Sequence, residues 1–225
     1  MTCLAFSAAL NIFGFFDMKG AITTFVLLLG IIVFSPPWWF LVVISSYSII
    51  IAATVYRKDD KTLIRGAKYK EDKKRTYTNV LGKVATPLIA SAIGDVGMFV
   101  SSICFGVVDS LANEIGVLSR KKPILITTGK PTEPGTSGAI SLLGTSASIV
   151  VSILMGILIS LAGFSQLKQS ILLLSIVAGN FGNILDSVLG SLIENRGFLK
   201  GWQVNFLSSL AAGVLGHFIY SAINA

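Results

Sequence analysis

The chain has 225 residues, of which 53% are hydrophobic and 13% charged, against roughly 45–50% apolar and about 25% charged in an ordinary soluble domain. That balance argues against a soluble enzyme and makes lipid the expected solvent, so residues 1–225 read as a single integral membrane domain, an all-α polytopic bundle. The formal charge of +7 suits anionic headgroups or anionic substrates and gives no reason to expect nucleic acid, because the basic residues fall between apolar runs.

In chain order, the first apolar stretch covers residues 3–16, about 14 residues and too short to span. No basic residue precedes it, so it is not expected to be a signal peptide; residues 1–19 read as an interfacial segment or one packed on the bundle. Apolar windows follow at 20–34, 38–56, 77–93, 98–115, 139–162, 169–193 and 204–223, each near the ~20 residues that a bilayer-crossing helix needs. They predict seven spans, or six if the first window does not cross. Pro36 and Pro37, the segment from Gly94 to Gly97, and Gly163 with Ser165 and Gln166 punctuate them. Cys3 and Cys104 sit in apolar runs, away from other metal-ligating residues, and read as buried thiols. Trp38, Trp39 and Trp202 read as interfacial aromatics.

Charge orients the windows. The connection at 57–76 carries nine Lys or Arg, the Gly- and Thr-rich connection at 117–138 carries Arg120, Lys121, Lys122 and Lys130, and the last carries Arg196 and Lys200. The alternate connections hold no Lys or Arg apart from Lys168. The positive-inside rule then places the three basic connections in the cytoplasm, with the N-terminus in and the C-terminus out of a cell membrane.

Acids inside spans cost about 2.5–3.5 kcal/mol on insertion scales and ordinarily carry function. Asp109 and Glu114 lie in VDSLANEIG at the cytoplasmic end of the fourth window, and Asp186 lies in GNFGNILDSVLGSLIEN near that end of the sixth. Asp109 and Asn113 share a helix face, whereas Glu114 is turned from it by about 140°. The sixth window also sets Gly179, Gly182, Asn183, Asp186, Gly190 and Glu194 on a small-residue stripe that favours close helix packing. Carboxylates from two helices form a site for Mg²⁺, with Asp109, Glu114 and Asp186 as its candidate ligands. The alternative is that these acids cap helix ends or pair with loop lysines.

The segment from Ile124 to Ser148 combines Lys130 with Gly129, Gly135 and Gly138, and with hydroxyls that include Thr128, Thr136, Ser141 and Thr145. Glycines allow close backbone approach, hydroxyls and amides donate to phosphate oxygens, and a following helix start favours negative charge. It reads as a phosphate cradle without the order of a P-loop, or else as a plain turn-rich loop. Asn205 is costly facing lipid and useful facing ligand, with helix capping as the alternative. His217 reads as packing, which leaves no histidine for general catalysis.

VDSLANEIG, KPILITTGKPTEPGTSGAISLLGTSAS, GNILDSVLGSLIEN and VNFLSS, in that order, resemble the TMEM19-like membrane proteins, also known as domain of unknown function 92. The likeness runs from about Gly20 to the C-terminus. Plant members of that family are phytyl-phosphate kinases, so the resemblance implies a membrane kinase that converts a prenyl monophosphate to the diphosphate with a nucleoside triphosphate. A more distant similarity to CTP-using membrane enzymes implies CTP as donor and Mg²⁺ as cofactor. By that analogy Asp109 and Asp186 hold Mg²⁺, Lys130 contacts phosphate as a catalytic residue, and Gly135, Thr136, Gly138 and Ser141, with Asn113, Glu114, Thr128 and Thr145, surround the nucleotide. Arg75, Asn79, Lys83, Asn183 and Asn205 are then the candidates for the lipid phosphate. The acidic motif departs from the family's usual Thr and Trp after the aspartate, with Ser110 and Leu111 instead. A cytidylyltransferase making a CDP-lipid and a non-enzymatic ion or solute transporter remain the alternatives, and a homo-oligomer is left open.

Overall fold

A computed structural model describes residues 2–65, 76–163 and 168–224. Each of the seven apolar windows is largely helical. In chain order the helices are α1 (Thr2–Ile12), α2 (Met18–Phe34), α3 (Pro37–Val55), α4 (Lys58–Arg65), α5 (Tyr77–Ile93), α6 (Val96–Gly116), α7 (Leu142–Leu161), α8 (Lys168–Leu189) and α9 (Gly201–Asn224). Helices α3, α6, α7 and α9 are long and apolar enough to cross a membrane, and so is the segment Gln169–Glu194, which continues α8. α2 and α5 have 17 residues each, about 25 Å of helix, at the short end of what a bilayer requires. α1 does not span; it packs on α2 through Cys3, Ser7 and Leu10.

The helix ends follow from local chemistry. The Asp17 side chain accepts from the Gly20 N–H at 2.6 Å and starts α2, and Pro37 stands at the first position of α3, where its missing N–H costs nothing. α5 ends on Gly94 in the left-handed region (φ 72°), and the Asp95 side chain then caps α6 by accepting from Met98 N–H at 2.8 Å. The residues Ser165 and Gln166 of the expected turn lie outside the described residues.

α6 is the centre of the bundle. Every residue from Gly97 to Ser110 is buried, and the helix packs on α3, α5, α7, α8 and α9. Up to Asp109 this stretch carries only apolar or small side chains, so no face of it needs water. The glycine stripe of α8 serves this packing: a Cβ at Gly179 would meet Cys104 at 3.1 Å, and one at Gly182 the Phe105 ring at 2.7 Å. Both cysteines are free and buried, as expected.

Three features differ from the sequence expectations. Trp39 is not an interfacial anchor: it is 3% exposed and stacks on Phe99 with ring centroids 4.0 Å apart. His217 is not a packing residue, since its half-exposed ring pairs through Nδ1 with Asp95 Oδ2 at the start of α6. The window at 139–162 begins as strand, because Ile124–Leu125 (β1) and Ala139–Ile140 (β2) pair antiparallel with Ile124 opposite Ile140. α7 starts only after Ser141, whose Oγ accepts from Gly144 N–H at 3.1 Å.

Candidate functional site

The helix ends that carry the basic connections close around one polar cavity of about 410 Å³. α5 contributes Asn79 and Lys83, α6 contributes Asp109, Asn113 and Glu114, α8 contributes Asn183 and Asp186, and α9 contributes Asn205. The segment after β1 forms its roof with Gly135, Thr136 and Gly138, and Ser141 and Thr145 complete the edge at the start of α7. The fold therefore gathers thirteen of the sixteen candidate site residues.

Lys83 organises the floor. Its ammonium donates to Asp109 Oδ2 at 2.5 Å and to Ser110 Oγ at 2.8 Å, while Asn113 Nδ2 donates to Asp109 Oδ1 at 2.9 Å. With its side chain 5% exposed, Asp109 has both oxygens engaged, as a buried carboxylate must. The i, i+4 relation of Asp109 and Asn113 is thus a hydrogen bond, and Asp109 holds the Lys83 cation in place.

Asp186 is in a different state. Its Oδ1 is buried and has no hydrogen-bond partner among the described residues, although the side chain lies in the field of Asp109, Lys83 and Glu194. Asn205 spends its Nδ2 on the Gly201 carbonyl at 2.9 Å, and its buried Oδ1 has no donor among the described residues. An unsatisfied buried acceptor costs about 1–3 kcal/mol, and two of them line one cavity here. Such oxygens fit a hard cation such as Mg²⁺, which takes one or two carboxylates and completes its shell with phosphate oxygens and water.

A three-carboxylate site of Asp109, Glu114 and Asp186 is corrected by the geometry. Among the described residues no group of three or more His, Cys, Asp and Glu can hold a metal, and Glu114 is committed elsewhere. Its Oε2 accepts from Lys61 Nζ at 2.7 Å and its Oε1 from Thr54 Oγ1 at 3.3 Å. Lys61 is fully buried and also donates to the Ala53 carbonyl. This pair ties α4 to the end of α6 and brings Arg65 to the cavity, where a Cβ on Gly135 would come within 2.6 Å of the Arg65 Nε.

The roof is clamped from α8. Where α8 reaches Gly190, the helix widens into a π turn over Gly190–Glu194, a form that recurs at functional sites. Ser191 Oγ then pairs with Thr127 Oγ1 at 2.5 Å, and Asn195 Nδ2 donates to the Ser137 carbonyl at 2.8 Å. Gly138 has φ 78°, and a Cβ there would meet the Ser187 carbonyl oxygen at 2.5 Å, so the close approach of roof and helix depends on glycine.

Lys130 and Thr128 do not reach the cavity. Both are exposed on the turn that follows β1, where Thr128 Oγ1 accepts from Lys130 N–H at 3.3 Å. Tight pairing of β1 with β2 carries that turn away from the helix ends. Arg75 lies outside the described residues. Sequence reasoning missed Arg65, Lys61 and the place of Glu194 on the cavity wall; only the spacing of Glu194 on the α8 stripe gave a signal for it.

A multi-span helical bundle with a polar, carboxylate-lined cavity at one end defines an integral membrane protein. The chain belongs to the integral membrane protein DUF92 family, whose pattern matches residues 1–213. It is 33% identical over 163 residues to the uncharacterized membrane protein MJ0933 of Methanocaldococcus jannaschii, covering 70% of this chain and 67% of that protein. Two Arabidopsis thaliana proteins are also similar. Protein PGR is 34% identical over 125 residues, 52% of this chain and 41% of that protein. The chloroplastic protein VTE6 is 32% identical over 107 residues, 48% of this chain and 31% of that protein. The chain thus matches less than half the length of either plant relative. No solved structure matches it.

Proposed function

We propose that the protein is a membrane kinase that converts a prenyl monophosphate to the diphosphate with a nucleoside triphosphate of the CTP type. The observation that carries this reading is the joining of the Lys83–Asp109 pair and the orphaned oxygens of Asp186 and Asn205 in one cavity roofed by a glycine-rich loop. The resemblance to prenyl-phosphate kinases of plants supports it.

In this reading an oxygen of the lipid phosphate attacks the γ-phosphorus, the bond from that phosphorus to the β–γ bridging oxygen breaks, and nucleoside diphosphate leaves. The nucleophile is already anionic, so the protein needs to position it and neutralise charge rather than supply a base. Lys83 and Asn79 receive the lipid phosphate, with Asp109 fixing the ammonium of Lys83. Gly135 and Gly138 let the roof backbone approach the nucleotide phosphates closely, and Arg65 flanks them. Asp186 and Asn205 would hold Mg²⁺, which supplies charge neutralisation to the phosphate oxygens. The clustering of basic connections at this end of the bundle supports a cytoplasmic site.

The test is an assay of the purified protein with geranylgeranyl phosphate, Mg²⁺ and each nucleoside triphosphate in turn. Diphosphorylated lipid from the parent and a loss of at least about a hundredfold in Asp186→Asn are expected. A CDP-lipid product, or full turnover in the variant, would refute the assignment.

A further inference from the structure

Glycines in the helices of this bundle mostly sit where helices touch. A Cβ at Gly82 would meet the Trp202 carbonyl oxygen at 2.6 Å, and one at Gly97 the Gly216 carbonyl oxygen at 2.5 Å. Gly106, in the middle of α6, differs. It is buried, yet the nearest atom to a Cβ built there is Lys83 Cβ at 3.9 Å, an ordinary contact. Its lack of a side chain is therefore not needed for helix packing; it leaves space.

That space is an apolar groove between α3, α5 and α6, walled by Val43 and Ile50 of α3, Val84 of α5, and Ile103 and Val107 of α6. α3 packs on α6 but not closely on α5, which leaves the groove between them. Asn79 and Lys83 line both this groove and the polar cavity. The aliphatic stem of Lys83 thus borders an apolar groove and its ammonium the polar cavity, the arrangement that an amphipathic ligand with an anionic head requires.

We infer that this groove seats the phosphate-proximal end of the prenyl chain, with Lys83 at the junction holding the phosphate and Gly106 keeping the channel open. The inference rests on the prenyl-phosphate kinase reading. The enclosed space is only about 30 Å³, so the protein grips the start of the chain and leaves the rest to lipid. Selectivity then falls on the shape of the first isoprene unit, and chains of different length are accepted alike.

The experiment uses the full chain in liposomes and geranylgeranyl phosphate carrying a diazirine in its first isoprene unit, with labelled peptides mapped by mass spectrometry. Label is expected within residues 43–50 or 103–107. Gly106→Leu should lower labelling and raise the KM for geranylgeranyl phosphate by roughly tenfold or more, as filling a fitted apolar pocket does, with the nucleotide KM unchanged. Ile103→Trp closes the same channel from another position and should act alike if Gly106→Leu does not fold. Label elsewhere, no label, or undiminished label in the folded variants overturns the inference. Labelling needs no nucleotide, so the two readings separate. A parent labelled in the groove that makes no diphosphate retires the kinase and keeps the groove; one that makes diphosphate but is labelled elsewhere retires the groove alone.

Discussion

Asp109 and Asp186 share a cavity but differ in what each would lose on substitution. Asp109 is held by Lys83 and Asn113 on both oxygens, so Lys83→Met strands a buried carboxylate, a change that costs about 3–5 kcal/mol. Asp186 has an oxygen with no donor among the described residues. Asp186→Asn therefore removes a negative charge set beside Asp109 and Glu194 as well as Lys83, and should leave thermal stability unchanged or higher while turnover falls. Melting curves in detergent beside the diphosphate assay check both; equal destabilisation by the two variants would make Asp186 a structural residue. The sequence made part of this legible, because helical period alone sets Asp109 beside Asn113 and turns Glu114 away. It did not disclose what Glu114 turns toward. Lys61 reads as one of nine loop cations, and only tertiary packing buries it against Glu114 and leaves it inaccessible to water.

Among the elements, the roof over the cavity shows where local pattern stops informing. The glycines and hydroxyls of 129–145 announce close approach to something, but paired strands of two residues are too short to carry a period of two. Their pairing is what moves Lys130 and Thr128 outward and Gly138 inward. Nor does any residue pattern separate the π turn at Gly190–Glu194 from the α-helix before it. The stripe of α8 is legible as a packing face, yet its last turn clamps the roof instead. Gly138→Ala tests that clamp. The left-handed φ disfavours any side chain by about 1–2 kcal/mol, and the Cβ would collide with backbone at Ser187. The roof should lift: the nucleotide KM rises while the KM for lipid phosphate and the melting temperature of the bundle stay close to parent values. A matching rise in both KM values would show that the roof does not serve the nucleotide alone.

At the scale of the whole molecule, every polar feature of the cavity lies at one end of the bundle and the Asp95–His217 pair at the other. α9 runs from Gly201, on the cavity wall, to Asn224 over 24 residues, about 36 Å at 1.5 Å per residue. Its two ends therefore face opposite sides of a bilayer whose hydrocarbon core is about 30 Å thick. If the basic connections fix the cavity in the cytoplasm, labelling by a membrane-impermeant maleimide has a definite outcome. The native thiols of Cys3 and Cys104 are buried, so a parent background close to zero is expected. Ser119→Cys, at the cavity end of α6, should react only in inside-out vesicles, and Asn224→Cys only in right-side-out ones. The reverse pattern would put the site on the far side from cytoplasmic nucleotide and would remove the donor on which the kinase reading depends.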